Sequence, residues 1–197
     1  MFRRALPVMI TVILAVPTAA LGAQRYASPI GSGADCSAPS PCTAFVAVSG
    51  AADGDEVIIG PGTYESSGQM DGTGKTLDIH GEFGQPAPLF APPNLSSGAL
   101  LYVGAGSSVR HIRITIGAGN TTGILVGGDD VHFDRVAIDT VSPNPMIDLV
   151  SSVTGTGFTN SAFVRTVGSG DALEIGRANT DVTIDFTTIR STAPAGG

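Results

Sequence analysis

The segment Val131-His-Phe133-Asp-Arg135-Val-Ala-Ile138 decides the fold, because its pattern recurs along the chain. In each copy the first, third and eighth positions are mostly apolar, and the first positions lie 22, 25 and 26 residues apart. The other copies are Val109-Arg-His111-Ile-Arg113-Ile-Thr-Ile116, Thr156-Gly-Phe158-Thr-Asn160-Ser-Ala-Phe163 and Val182-Thr-Ile184-Asp-Phe186-Thr-Thr-Ile189. Short alternating strands at this period, separated by turn residues, indicate a β-solenoid.

A second series of apolar pairs precedes the first at a matching period. Its second members lie 24, 23, 23 and 26 residues apart. The pairs are Leu77/Ile79, Leu101/Val103, Ile124/Val126, Ile147/Leu149 and Leu173/Ile175. Leucine-rich repeats have a similar period, but the Leu/Asn ladder that they require is missing from this sequence.

Stacking of successive coils assigns each strand residue to a face, because side chains alternate between inside and outside. Two predicted inward columns are Val103/Val126/Leu149/Ile175 and Ile116/Ile138/Phe163/Ile189. The same alignment places His111 in a column with Phe133, Phe158 and Ile184, which predicts a hydrogen-bonded core histidine. Arg113, Arg135, Asn160 and Phe186 share the following turn position, so no asparagine ladder is expected.

Composition bounds the class of protein. The 197 residues suit one globular domain, and 42% hydrophobic residues can build a core, which argues against disorder. With 27 Gly and 13 Pro but no Gly-X-Y period, the chain is neither collagen nor a protein of long helices.

Residues 1–23 have the pattern of a secretory signal peptide. Arg3 and Arg4 precede an apolar run, and a small-residue end closes the segment at Ala23. An uncleaved membrane anchor is the alternative, and no later stretch is long and apolar enough to span a membrane. Cleavage leaves 17 acidic against 8 basic residues, a net charge of −9, so nucleic acid is not an expected partner.

Residues 24–52 are predicted to form a disulfide loop and an amino-terminal cap. Cys36 and Cys42 are the two cysteines, and in an oxidising compartment we expect them to pair. A metal site is the weaker interpretation, because two cysteines alone make an incomplete zinc site. Residues 43–50 have the composition of a short helix, and a cap of this kind covers the open end of a solenoid.

The cysteine loop, the short helix and the following Gly-Asp-Glu-Val-Ile-Ile-Gly-Pro-Gly-Thr-Tyr of residues 54–64 together resemble a known family. They are similar to the first segment of secreted proteins of the pectate-lyase-like superfamily. The resemblance implies a right-handed parallel β-helix with three strands per coil, here over residues 53–197 in about five to six coils. It also implies a common association with extracellular polysaccharides, but it carries no particular reaction.

The carboxyl end departs from this family pattern, since no amphipathic segment follows Ile189. Truncation of a longer chain is the favoured interpretation. The alternatives are a cover supplied by another subunit and a loose fold-back of residues 191–197.

An outward column of Asp78, Tyr102, Leu125, Asp148 and Glu174 is the candidate functional surface. Asp148 and Glu174 on adjacent coils lie roughly 5 Å apart in this prediction, as the acid and nucleophile of a retaining glycosidase do, with Arg177 assisting. Asp148, Asp171 and Glu174 are alternatively calcium ligands. Tyr102 is the candidate platform for sugar stacking. A solvated acidic face remains the favoured alternative to all of these roles.

A look-alike of a phosphate-binding loop, Gly68-Gln-Met-Asp-Gly-Thr-Gly74-Lys75-Thr76, does not predict nucleotide binding. Its first glycine is displaced by one residue, and a strand follows where the motif requires a helix.

Two functions therefore remain from the sequence. The favoured one is a non-catalytic extracellular or cell-surface module that contacts a polysaccharide or a surface partner. The alternative is a polysaccharide lyase or glycoside hydrolase that acts on an extracellular polysaccharide.

Overall fold

A computed structural model describes residues 22–65, 68–93, 95, 98–119, 121–150, 152–166 and 171–191. These residues form a parallel β-solenoid of about five coils with one short helix. Strand β1 (Gln24–Ala27) and helix α1 (Ala44–Ser49) precede the coils. The strands of the coils are, in chain order, β2 (Glu56–Ile59), β3 (Thr63–Tyr64), β4 (Met70–Gly72), β5 (Asp78–Gly81), β6 (Leu89–Phe90), β7 (Gly98–Val103), β8 (Ser108–Ile116), β9 (Thr121–Val126), β10 (His132–Thr140), β11 (Ile147–Leu149), β12 (Gly157–Thr159), β13 (Ala162–Arg165), β14 (Leu173–Ile175), β15 (Thr183–Asp185) and β16 (Thr188–Ser191).

Three parallel ladders run the length of the solenoid, which confirms the predicted three strands per coil. The first ladder joins β1, β2, β5, the start of β8, the start of β10, β12 and β15. The second joins β3, β6, the ends of β8 and β10, β13 and β16. The third joins β4, β7, β9, β11 and β14.

The core is the set of inward side chains of these ladders. Val103, Val126 and Leu149 stack in register on the third ladder, and each is at most 2% exposed. On the first ladder Phe133 and Phe158 stack with their ring centroids 5.0 Å apart. Aliphatic and aromatic columns of this kind bury one face of every strand, and the alternation of the sequence predicted that face correctly.

A sharp bend separates the first ladder from the second in the four coils that begin with β8, β10, β12 and β15. His111, Arg135, Asn160 and Phe186 occupy this bend, all with positive φ between 48° and 54°. The prediction that His111 is a core residue was therefore wrong. Val109 pairs with Phe133, and His111 lies half-exposed at the bend, with its Nε2 atom 2.9 Å from the carbonyl oxygen of Gln85.

The cause of this error lies in the first repeat, residues 109–116, which pairs with the next repeat two residues away from the register that the sequence alignment assumed. Ile114, and not Ile116, pairs with Ile138, while Ile116 pairs with Thr140. Likewise Arg113 pairs with Ala137 on the second ladder and is not a turn residue. A shift of two keeps every side chain on its own face, so hydrophobic alternation cannot detect it.

The second coil carried another wrong assignment. Ile79 belongs to the first ladder, where it pairs with Val109, and Asp78 pairs with Ser108, 30 residues away. Strand β7, which carries Tyr102, pairs with β4 of the coil before it. The neighbour of Tyr102 is therefore Asp71 and not Asp78. The connections before and after β6 make this coil longer than the others, so a constant repeat length assigns its strands to the wrong ladder.

The amino-terminal end is capped as predicted. Cys36 and Cys42 form a disulfide, and α1 packs its buried Ala44, Ala47 and Val48 against the first coil. Thr43 caps the helix by accepting a hydrogen bond from the Val46 N–H. Arg25 of β1 pairs with the buried Val57 on the first ladder, and its Nε donates a hydrogen bond to the carbonyl of Ala47.

The opposite end is open among the described residues. Ile175, Ile184 and Ile189 continue the inward columns, yet they are 48%, 42% and 45% exposed. Within the part of the chain that the structure describes, none of the helices is long and apolar enough to cross a membrane. Most of the predicted signal peptide, residues 1–21, and the last six residues lie outside that part.

Candidate functional site

The predicted carboxylate pair lies on the outer face of the third ladder. Asp148 of β11 and Glu174 of β14 are partners in register, as the sequence predicted. Asp148 is half-buried and Glu174 is exposed. Burial raises the pKa of Asp148 above its usual range, because the charged carboxylate is less well solvated there than in water.

Two other predicted residues lie in loops that flank the pair. Arg177 is exposed in the turn after β14, where its carbonyl accepts a hydrogen bond from the Ser152 N–H. Asp171 is exposed before β14, and its backbone carbonyl accepts from the guanidinium of the buried Arg165. Roles in catalysis or calcium binding for these residues remain predictions.

Tyr102 stands in the same outward column, two coils from Asp148. The register gives the complete column as Asp71, Tyr102, Leu125, Asp148 and Glu174, which we call the third-ladder column. At about 4.8 Å for each strand spacing, it extends for about 19 Å along the solenoid axis.

The amino-terminal end of this column opens into a groove of about 430 Å³ between α1 and the third ladder. Its lining combines two aromatic rings with four polar side chains. These residues are Phe45, Ser49, Gln69, Asp71, Thr73 and Tyr102. Phe45 is 42% exposed on the helix, and Tyr102 is half-buried on β7.

Gly98, at the start of β7, keeps this groove open. Its φ is +82°, and a Cβ atom there would lie 2.3 Å from Gln69 Nε2 and 2.9 Å from the Tyr102 hydroxyl. A side chain at this position would displace both groups, in addition to straining the backbone. Sequence reasoning found Tyr102 but missed the groove, because Phe45 and Gln69 belong to elements far from it in the chain.

Asp71 brings a fixed negative charge to the groove. Its Oδ1 accepts a hydrogen bond of 2.9 Å from the Thr73 N–H, and hydrogen bonds from Thr73 lower the pKa of Asp71. The nearby Lys75 ammonium donates to the carbonyls of Ser49 and Asp71, at 2.8 and 3.3 Å. This cation is therefore engaged by backbone oxygens at the end of α1.

A second polar cluster, missed by the sequence reasoning, covers the outer face of the first ladder. His80 Nε2 lies 2.8 Å from Glu56 Oε1, and the imidazole is 2% exposed beneath the ring of Phe83. Next to it, Asp78 accepts two hydrogen bonds from Arg110 Nη2 and one of 2.5 Å from the Ser108 hydroxyl.

Both ring nitrogens of His80 contact oxygen atoms. Its Nδ1 lies 2.9 Å from the Gly81 carbonyl oxygen, so both ring nitrogens face acceptor oxygens. A ring with a proton on each nitrogen donates to both oxygens, and its contact with Glu56 is then an ion pair. That hydrogen bond from His80 is the main cause of the lowered pKa of Glu56.

Glu56, Asp78 and His80 are the described residues whose ligand atoms come close enough for a metal, within 4.8 Å of one another. The donor set suits a divalent cation, but the Arg110 guanidinium already neutralises Asp78 at this position. Ser108 and His80 take part in separate hydrogen bonds, so the cluster is not a nucleophile and base in contact. Its chemistry is that of a charge-compensated structural network.

Comparison with known proteins does not assign the chain to a family. No protein-family model matches the chain, and neither a curated protein nor a solved structure shows significant similarity to it.

Proposed function

We propose that this chain is a secreted, non-catalytic β-helix module, of the pectate-lyase-like kind, that binds an extracellular polysaccharide along the third-ladder column. The observation that carries the proposal is the groove between Phe45 and Tyr102, which opens onto that column. Sugars present apolar ring faces that pack on aromatic side chains, and hydroxyls that hydrogen-bond to amides and carboxylates. The groove offers both kinds of contact.

The shape of the third ladder supports a chain-like ligand. The outward residues from Asp71 to Glu174 lie on five strands that are direct neighbours in the sheet, one strand spacing apart. An extended polymer lying along the axis contacts every coil, so many weak contacts combine. A small molecule would use the groove alone.

Binding is favoured over catalysis by the surroundings of the acids. Asp148 and Glu174 lie two and three coils beyond Tyr102, and the groove that the structure describes is lined by neither of them. On the first ladder Asp78 is paired with Arg110, and the His80 imidazole that contacts Glu56 is 2% exposed, so a substrate does not reach it.

The proposed location is extracellular or cell-envelope. A disulfide between Cys36 and Cys42 is compatible with an oxidising compartment, and the signal-peptide pattern of residues 1–23 is the sequence argument for export. Mass spectrometry of the exported protein would test both points, with an amino terminus near residue 24 expected.

The binding proposal is tested with the full mature chain and a panel of soluble neutral and acidic polysaccharides in affinity electrophoresis. Tyr102→Ala and Phe45→Ala are each expected to weaken binding at least about fivefold. Phe83→Ala removes an exposed ring from the turn after β5, away from the groove, and serves as the matched control. Equal retardation of all four proteins, or of none by any polysaccharide, would exclude the groove as the site.

A lyase or hydrolase is the second candidate, because Asp148 and Glu174 are register neighbours and burial raises the pKa of Asp148. That combination suits a general acid beside a second carboxylate. Release of unsaturated or reducing ends, lost in folded Asp148→Asn and Glu174→Gln variants, would establish this activity. Product release that both variants retain would remove the pair from catalysis.

A further inference from the structure

We infer that the polysaccharide recognised by the third-ladder column carries free amino groups on its sugar units. The inference rests on the proposed function and adds the chemical class of the ligand. It follows from the sign and the placement of the charges on this face.

Three carboxylates share the column, and they lie at both of its ends. Asp71 lines the groove, and Asp148 and Glu174 follow beyond Leu125. The Asp71 carboxylate is oriented by the Thr73 N–H, so its charge has a fixed position beside the aromatic rings. A ligand on this track meets negative charge before and after its apolar contact with Tyr102.

Of the cations near this face, Lys75 partly offsets the charge of Asp71, whose pKa it helps to lower, whereas the pKa of Asp148 is shifted by burial alone. The Lys75 ammonium is engaged by the carbonyls of Ser49 and Asp71. Arg165 is fully buried and donates to carbonyls of Ser142, Asn144 and Asp171. Arg177 is exposed, but it lies in the turn after β14, at the far end of the column.

The charge pattern therefore selects among polysaccharides. A polyuronate would bring carboxylates against Asp71, Asp148 and Glu174, on a chain whose net charge is already −7. Protonated amino groups on successive sugars reverse the sign of every one of these contacts. A neutral polymer gains the stacking on Phe45 and Tyr102 but none of the ion pairs.

The test compares two oligosaccharides whose sugars carry either a free amino group, which is protonated, or an uncharged acetylated one. Titration calorimetry at pH 6 uses the hexamers of β-1,4-linked glucosamine and of its N-acetylated form, each at low and at moderate salt. The glucosamine hexamer is expected to bind about tenfold more tightly, with a preference that shrinks as salt rises. Asp71→Asn, Asp148→Asn and Glu174→Gln should each reduce its affinity about two- to fivefold and reduce the affinity for the N-acetylated hexamer less, because that ligand loses no ion pair.

Asp139→Asn provides the matched control, because it removes the same charge from an exposed position on the second ladder. If this variant loses as much affinity as Asp71→Asn, the attraction belongs to the whole acidic protein and the inference is wrong. Equal affinity for both hexamers, abolished by Tyr102→Ala, would overturn the amino-sugar inference and leave the binding site standing. Binding of either hexamer that Phe45→Ala and Tyr102→Ala do not change would contradict the proposed function itself.

Discussion

Neighbouring residues of one strand experience opposite environments in this solenoid. Val126 is fully buried between Val103 and Leu149, whereas Leu125 lies half-buried on the outer column. Val126→Asp should lower the free energy of unfolding by ~4 kcal/mol, because it buries an unpaired charge. Leu125→Asp should change it by less than about 0.5 kcal/mol. Urea denaturation measures both values, and similar losses for the two variants would invalidate the face assignment.

Glu56 links acid stability to the ion pair with His80. Hydrogen bonds from His80 and Gln24 lower the pKa of Glu56 in the folded state, so its contribution exists above pH 4.5 and disappears as pH falls through the folded value. Glu56→Gln should therefore reduce stability at pH 7 by about 1 kcal/mol.

The difference between Glu56→Gln and the wild type should shrink as pH falls from 4.5 and vanish below the folded-state pKa of Glu56, since the wild-type carboxyl is then protonated. Thermal unfolding at a series of pH values provides the measurement. Glu82→Gln makes the same charge change at an exposed position and should have no pH-dependent effect. A loss for Glu56→Gln that persists undiminished down to the lowest pH at which the protein stays folded would mean that the ion pair is not its source.

Residue chemistry alone could predict faces but not contacts. Alternation correctly placed Val103, Val126 and Leu149 inside and Asp148 outside. It could not choose between registers that differ by two residues, which is why His111 was assigned to the core and is found at a bend.

The bend between the first and second ladders is the element that fixes this register. It requires a left-handed backbone conformation, which Asn adopts at low cost and Phe does not. Asn160 fulfils this requirement in the fifth coil, and its side-chain amide also donates to Asp134 Oδ1 at 2.8 Å. The left-handed conformation at this position cannot be recognised from the repeated sequence pattern, because His, Arg, Asn and Phe share no side-chain chemistry.

Phe186 occupies the equivalent bend of the last coil with φ 48° and a side chain that is 92% exposed. Phe186→Asn should raise the free energy of unfolding by about 1 kcal/mol, by relieving the backbone strain. Ile30→Asn removes a comparably exposed apolar residue that is outside the left-handed region, and it should be neutral. Chemical denaturation of both variants makes the comparison, and destabilisation by Phe186→Asn would show that the ring has a packing role.

The solenoid as a whole was predictable from its period, whereas its surfaces were not. The solenoid itself follows from repeated patterns that are local in sequence, whereas the three strands per coil were implied by the family resemblance and the cap by the composition of residues 43–50. The position of Tyr102 in the groove opposite Phe45 depends on connections such as residues 82–88, whose length no repeat pattern determines. The contact between Glu56 and His80 depends on the register of β2 and β5, which the repeat pattern did not assign to the same ladder.

Stability in a solenoid is a sum over neighbouring coils, so the open end should unfold first. The amides of Ser108, His132, Gly157 and Thr183 form a matched series, because each donates to a carbonyl of the preceding coil at 2.9 to 3.0 Å. Hydrogen exchange should be slowest at Ser108 and His132 and at least about a hundredfold faster at Thr183. The reason is that β15 pairs on one edge alone among the described strands, beside the half-exposed Ile184. Equal protection along the series would instead mean that the coils open as one cooperative unit.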